Sequence, residues 1–161
     1  MADAISNTSP IQYLHQLGHL DLLPRFLGRV LLPPAVAGEL AIGRQRGVAL
    51  PDPAALAWVK FRAPQTVPSA LTVESGLGRG EIEALALALE LGGLVVLDDG
   101  KARRVAARLR VPYTGTLGLL RRARQTGLIS QLAPELDRLA VLGFRFDRAF
   151  RDELLREAGE S

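Results

Sequence analysis

The sequence predicts an α/β protein, a three-layer α/β/α domain in which helices cover both faces of a central parallel sheet. Short apolar runs alternate with longer helical patterns along the chain, as in repeated strand–helix units. One run, Leu94–Leu97, is wholly apolar, which is typical of a strand buried on both faces of a parallel sheet. The 161 residues are 48% hydrophobic and 23% charged, enough for one globular domain with its own core. We therefore expect a single domain over 1–161, with a helical extension at about 131–161.

The first part of the chain predicts three strands with their helices. A strand over Ala2–Ser6 ends at Asn7-Thr8-Ser9-Pro10, where Thr8 or Ser9 can cap the next helix and Pro10 fits its first turn. The pattern then predicts, in order, a helix at Ile11–Leu17, a short helix at His19–Leu27, a strand at Arg29–Leu32, a helix from Ala35 to about Arg44 and an edge strand at Trp58–Arg62.

The most informative unit runs from Gly80 to Arg104. Glu81 opens an Ala/Leu-rich helix that Gly92-Gly93 closes, because glycine favours the left-handed position after a helix. The Leu94–Leu97 strand follows and carries Asp98 and Asp99 to its carboxyl end. A basic helix then starts near Lys101. In open α/β sheets the carboxyl ends of the strands are where ligands bind, so this unit predicts half of an acidic site.

The remainder is predicted with less periodic support. Pro64–Gly80 reads as irregular. The later elements are predicted as a helix at Lys101–Leu109, a strand at Val111–Tyr113, a helix from Thr114-Gly115-Thr116 to near Gly127, a helix at Leu132–Leu142, a short strand at Phe144–Phe146 and a closing helix at Arg148–Ala158.

Composition excludes several classes of chemistry. The chain has no cysteine, which excludes disulfides, thiolate nucleophiles and cysteine-based zinc sites. The first ten residues lack the basic start and apolar run of a signal peptide, and no apolar run is long enough to span a bilayer. We therefore expect a cytoplasmic protein without a membrane partner.

The candidate site collects oxygen-bearing side chains from four separate segments. Asn7 follows the first predicted strand, and Asp98 and Asp99 follow the central one, so a parallel sheet places them at the same edge. Glu39 lies one turn into its helix and Glu81 at the start of another. Such a set would bind Mg²⁺ or Mn²⁺, hard cations that prefer carboxylate oxygens and keep several waters. A bound dication of this kind can activate water and stabilise charge on a phosphodiester.

Each acid also has a structural interpretation. Glu81 can favour a helix N-terminus through the helix dipole, Asp98 or Asp99 can be a helix cap, and Glu39 can lie on the surface. Glu83 is two residues from Glu81, about 200° around a helix, so the two cannot point the same way. We predict Glu81 as the inward acid and Glu83 as a supporting one.

A basic segment follows the paired aspartates. Between Gly100 and Pro134 there are eight Lys or Arg residues and no Asp or Glu, although the net charge of the whole chain is only +3. This asymmetry indicates a polyanionic partner, or else a solvated Arg-rich surface. We predict that Lys101, Arg104, Arg108 and Arg121 contact such a polyanionic partner.

Three stretches together resemble the PIN-domain family of metal-dependent ribonucleases. They are SNTSPIQYLHQLGHLDLLPRFLGRVLLPPAVAGEL, GLGRGEIEALALALELGGLVVLDDGKARRVAARL and VPYTGTLGLLRRARQTGLI. Within that family the sequence is most similar to the prokaryotic PIN-like subgroup often classed as a domain of unknown function. The resemblance implies hydrolysis of RNA phosphodiesters with Mg²⁺ or Mn²⁺, a homodimer, and the role of toxin paired with a small antitoxin protein.

The resemblance also implies roles for individual positions. Asn7 stands where the family has its first Asp, Glu39 matches the second acid and Glu81 the third. Asp99 matches the fourth acid, with Asp98 as a fifth. The hydroxyl after the first acid matches Thr8 or Ser9, and we expect Thr8, Ser9, Glu83 and Thr116 to support the ligands.

Two other hypotheses stay open at this point. Asn7 lacks the charge of the expected Asp, so the chain can be a catalytically weak or inactive PIN-like module that binds RNA or protein. A receiver-like domain that accepts phosphate on Asp98 or Asp99 is the second, although Asn7 replaces one acid it would need.

Overall fold

The computed structural model describes residues 3–71 and 76–160. Strands β1 to β5 and helices α1 to α8 follow the predicted alternation. In chain order they are β1 (Ala4–Ser6), α1 (Thr8–Leu17), α2 (Leu22–Leu27), β2 (Val30–Leu32), α3 (Pro34–Gln45), β3 (Val59–Phe61), α4 (Arg79–Leu91), β4 (Val95–Val96), α5 (Gly100–Arg108), β5 (Tyr113–Thr114), α6 (Thr116–Gln125), α7 (Ala133–Val141) and α8 (Arg148–Glu157). Within these ranges, no helix combines the length and the apolar character needed to cross a membrane.

All five strands pair in parallel in the order β3-β2-β1-β4-β5. The order in which the strands are added therefore reverses between β1 and β4, since β2 and β3 lie on one side of β1 and β5 lies beyond β4. The neighbouring carboxyl ends of β1 and β4 form the switch point, which is where α/β folds bind ligands. Ser6 pairs with Val96, so the residues after both strands emerge side by side. A receiver-like domain has the order 2-1-3-4-5, so the topology excludes that hypothesis.

Side chains alternate across the sheet and build two separate cores. On β2, Val30 and Leu32 pack into one cluster and Leu31 into the other. The first cluster contains residues of α1, α2, α3, α6, α7 and α8, and the second contains residues of α4 and α5. This is the predicted three-layer α/β/α arrangement, and the fold-class prediction is confirmed.

The C-terminus is tied back onto the domain. The Glu160 carboxylate accepts hydrogen bonds from Leu132 N at 2.7 Å and Ala133 N at 3.0 Å, which caps the start of α7. It also pairs with Arg124 at 3.1 Å. Burial raises the pKa of Glu160, but the two backbone hydrogen bonds and Arg124 outweigh it, so the pKa lies below its ordinary value.

The predicted strand at Phe144–Phe146 is wrong. Gly143 has φ 99° after α7, its N–H donates to Ala140 O, and Phe144 N donates to Leu139 O at 3.0 Å. These two bonds form a Schellman motif, so the segment ends a helix instead of pairing with the sheet.

Other differences concern boundaries. The strand predicted from Ala2 begins at Ala4, since Asp3 is not part of it, and residues 1 and 2 lie outside the described part. The helix predicted from His19 begins at Leu22. The irregular stretch 64–80 contains one 3₁₀ turn, Ser69–Leu71, while residues 72–75 lie outside the described part.

Candidate active site

Asn7 connects β1 to α1 at the switch point of the sheet. Its backbone N–H donates to Val96 O at 3.0 Å, which holds it against the end of β4. Asn7 occupies the N-cap position of α1, in place of the predicted Thr8 or Ser9, but its side chain makes no capping hydrogen bond. Asparagine is a preferred N-cap residue because its side-chain oxygen can accept a hydrogen bond from a backbone N–H in the first turn of the helix, and Asn7 does not use this bond. Only 6% of Asn7 is exposed, and its Oδ1 faces the start of α4.

Glu39 reaches the same place from α3. Its Oε2 accepts a hydrogen bond from Thr8 Oγ1 at 2.9 Å. A Cβ added at Gly80 would collide with Glu39 Oε1 and lie 3.1 Å from Asn7 Oδ1. Glycine at position 80 is thus required for the two oxygens to share the space beside α4.

Glu81 is half-buried in the first turn of α4. Its Oε1 accepts from Gly78 N at 2.9 Å, so the helix-terminus interpretation is correct for one of its two oxygens. Burial raises the pKa of Glu81; the Gly78 hydrogen bond and Lys101 lower it, and the charges of Asp99 and Glu39 raise it further. The net shift is upward and comes mainly from burial, while the contributions of Asp99 and Glu39 indicate that both carboxylates lie near Glu81.

The paired aspartates after β4 point in different directions. Asp99 Oδ2 accepts from Ala102 N at 2.9 Å and caps α5. Asp98 accepts two hydrogen bonds from Thr116, from its N–H to Oδ1 and from its hydroxyl to Oδ2, both at 2.7 Å. Burial raises the pKa of Asp98, and the Thr116 hydrogen bonds only partly offset this. Thr116 therefore holds both oxygens of Asp98 in place.

Each of the other three acids keeps one oxygen for a ligand. Among the hydrogen bonds of the described residues, Glu39 Oε1, Glu81 Oε2 and Asp99 Oδ1 accept none, while the second oxygen of each is held. Within residues 3–71 and 76–160, no three acidic or histidine side chains lie close enough to enclose a metal ion. Mg²⁺ usually keeps several waters and contacts one or two carboxylates directly, so these spaced oxygens suit a hydrated dication.

The predicted supporting residues have distinct positions. Glu83 lies outside the acid group, where its Oε1 accepts from Ala35 N at 2.8 Å. This bond ties α4 to the first turn of α3 and so fixes the helix that carries Glu39. Ser9 lines a crevice with Asp98 and Asp99.

The predicted RNA-binding residues divide into two groups. Lys101 Nζ would lie 2.6 Å from a Cβ at Gly76, and Lys101 lowers the pKa of Glu81, so it faces the acids. Arg104 and Arg108 are exposed on α5, with Arg104 Nη1 folded back over Gly100. Arg121 instead forms an ion pair with Glu157 at 3.1 Å. The α5 cations are therefore better placed for an anionic ligand than Arg121.

Sequence reasoning missed two residues at this edge. Gly80 leaves the space in which the Glu39 and Asn7 oxygens lie, and this role is visible only when the positions of those two side chains are known. Arg145 lines the same crevice as Asp98 and Asp99, although it is distant in sequence and outside the basic segment. The sequence signal for Arg145 was obscured by the strand predicted at Phe144–Phe146.

A parallel α/β/α sandwich with acidic side chains gathered at its switch point is a nuclease-type fold. A family model described as a PIN domain matches residues 3–160. The chain therefore belongs to the PIN-domain family, and the resemblance stated from the sequence is confirmed. A comparison with curated proteins gave no match.

Proposed function

We propose that this protein is a divalent-metal-dependent endoribonuclease that hydrolyses RNA phosphodiester bonds. The observation that carries the proposal is the meeting of Glu39 Oε1 and Asn7 Oδ1 over Gly80, beside Glu81 and Asp99. Family membership supports the nuclease class and RNA as the substrate. The site residues, the choice of Mg²⁺ or Mn²⁺ and the biological role are part of the proposal.

In this proposal the site residues have different roles in metal binding, ligand orientation and attraction of the RNA. Glu39, Glu81 and Asp99 would hold the dication through the oxygens that accept no hydrogen bond, and Asn7 would contribute its neutral amide oxygen. A bound dication would stabilise the negative charge that builds on the phosphodiester during hydrolysis. Thr8 would keep Glu39 oriented, and Lys101 would attract the RNA backbone towards the acids.

Asp99 is the better ligand of the aspartate pair. Both oxygens of Asp98 are engaged by Thr116, whereas Asp99 has one oxygen engaged by Ala102 N. We assign Asp98 to holding the start of α6 against the end of β4. It could act as a fifth ligand only through a lone pair left over after those hydrogen bonds.

The test is cleavage of a fluorescently labelled single-stranded RNA with Mg²⁺ or Mn²⁺, with and without EDTA. Wild type should cut, EDTA should stop it, and Glu39→Gln, Glu81→Gln and Asp99→Asn should each lose at least 100-fold in rate. Glu153→Gln, which changes an exposed acid of α8, is the matched control and should keep full activity.

Variants purified in the same way control for contaminating nuclease, because a contaminant would cut equally in every preparation. Equal cleavage by wild type and all three site variants would remove the proposal.

A second candidate function rests on Asn7. The neutral amide replaces a charged ligand, which weakens cation binding and favours an inactive PIN-like module that holds RNA or protein. Asn7→Asp separates the two functions, since a silent wild type that gains cleavage on this change is a degenerate nuclease. Robust turnover by wild type would exclude the binding-only function.

We extend the proposal to a toxin that acts as a homodimer and is silenced by a small antitoxin protein. Only the PIN-domain family supports this extension. Expression of wild type should arrest growth while Asp99→Asn should not, and sedimentation should give the mass of a dimer. Normal growth with an enzyme that is active in vitro would remove the toxin role alone.

A further inference from the structure

A crevice of about 350 Å³ opens directly beside the paired aspartates. Ser9 and Tyr13, four residues apart on one face of α1, line one side. Phe144, Arg145 and the two aspartates also line the crevice. Its volume is in the range of small-molecule sites. Asp99 belongs both to this crevice and to the proposed metal site.

The wall that carries Arg145 is firmly held. The Schellman motif at the end of α7 fixes Phe144 through its bond to Leu139 O. The Phe144 ring then packs edge-on against Tyr13, with ring centroids 5.0 Å apart at 78°. Arg145 follows immediately, so its backbone position is set by two independent contacts although the side chain is exposed.

Among the described residues, the charged groups that line the crevice form no ion pair with one another. Arg145 shares the crevice with two carboxylates, yet among the described residues it forms no ion pair with either one or with any other acid. A guanidinium that lines the same crevice as an acid of the proposed cation site, without pairing with it, is suited to bind a phosphate there. Arginine binds phosphate through two parallel N–H groups, and such contacts stabilise the charge of a reacting phosphodiester.

We propose that this crevice is the nucleotide subsite next to the cleaved bond, in which Arg145 binds an RNA phosphate and a base packs against Tyr13 and Phe144. The inference rests on the proposed nuclease function, because it concerns the same sheet edge. It adds a substrate contact from the C-terminal part of the chain, distant in sequence from the basic segment. Stacking of a base on an aromatic side chain is tolerant of base identity, so the subsite favours single strands without selecting a sequence.

The experiment measures binding of a fluorescein-labelled single-stranded RNA 12-mer by anisotropy in EDTA, at several salt concentrations. Arg145→Ala should bind roughly tenfold more weakly, and the slope of log affinity against log salt should fall by about 0.7, the value for one phosphate contact on a single strand. Arg145→Lys should recover the slope but only part of the affinity, because lysine keeps the charge without the paired N–H groups. Arg156→Ala, an exposed arginine of α8 outside the crevice, is the control and should match wild type.

Phe144→Leu tests the aromatic wall and retains the apolar contact at the helix end. It should weaken binding at least fivefold with an unchanged salt slope, since stacking involves no charge. Thermal unfolding of each variant checks that the fold is intact.

The outcomes separate this inference from the proposed function. Arg145→Ala with wild-type affinity and slope overturns the subsite even if wild type cuts RNA. Weakened, flatter binding in Arg145→Ala supports the subsite even if no metal ion restores cleavage.

Discussion

Gly80→Ala provides the sharpest test of the site, because it should separate stability from function. The added Cβ collides with Glu39 Oε1 and lies 3.1 Å from Asn7 Oδ1. The Glu39 carboxylate is the end of a flexible side chain, so it can move aside. In doing so it gives up the position fixed by the 2.9 Å bond from Thr8.

The effect on stability should be small. Alanine gains up to about 1 kcal/mol over glycine in a helix. Loss of the exposed hydrogen bond between Thr8 and Glu39 should lower the free energy of unfolding by a similar amount, about 1 kcal/mol. The free energy of unfolding should thus change by less than about 1 kcal/mol, or roughly 2–4 °C in Tm for a domain of this size. The rate should fall about 100-fold, since a displacement of about 1 Å in a reacting group has that cost.

Gly38→Ala is the matched control. Gly38 lies in α3 next to Glu39, and a Cβ there meets nothing within 4 Å. It should gain the same helix stability without loss of function. Calorimetric Mn²⁺ titration, RNA cleavage and thermal unfolding would be measured on both variants. The reasoning is refuted if Gly80→Ala binds Mn²⁺ and cuts RNA as wild type does, or if Gly38→Ala loses as much.

Three further predictions follow from single contacts. Thr8→Val keeps the side-chain shape but removes the hydroxyl that orients Glu39, so calorimetry should find Mn²⁺ affinity reduced severalfold, while Thr8→Ser should retain it. Glu160→Gln should lower the free energy of unfolding by about 1 kcal/mol at pH 7 in urea titrations. Because folding lowers the pKa of Glu160, its charge stabilises the protein fully above the ordinary pKa. The difference from the variant should shrink as pH falls below the ordinary pKa and vanish only below the lowered pKa of the folded state; a constant difference would contradict this. Arg104→Ala should flatten the salt dependence of RNA binding and Arg121→Ala should not, since Arg121 is paired with an acid; equal slopes for the two would show that the ion pair is irrelevant.

The sequence was most informative where local signals and burial agreed. The unit from Gly80 to Arg104 was predicted almost residue by residue, because glycines mark both ends of its helix and the strand is uniformly apolar. Strand order could not be derived, since five short buried strands look alike in sequence. Phe144–Phe146 was mistaken for a strand because its apolar–polar alternation imitates one, and only the φ of Gly143 and the packing of Phe144 on Tyr13 reveal a helix end.

Three of the proposed site acids could be selected from the sequence, because Asp98 and Asp99 follow a strand and Glu81 opens a helix. Their geometry could not be predicted. The sequence could not distinguish Asp98, with both oxygens held by Thr116, from Asp99, with one oxygen left for a ligand. Arg145 was missed for the same reason, because its place in the crevice depends on how α7 ends.

The capping roles of the acids do not count against the proposed metal site, because they would fix the orientation of its ligands. A carboxylate has two oxygens, and here Glu81 and Asp99 each use one to hold the start of a helix. That bond fixes the direction of the other oxygen before any ligand arrives, which reduces the conformational entropy lost on binding. Asn7 is the exception at an N-cap, since its side chain makes no capping bond and its Oδ1 lies beside Glu39. An asparagine with a purely structural N-cap role would accept a hydrogen bond from the first turn of its own helix. The side chain of Asn7 makes no such bond, so a structural role alone does not explain its position.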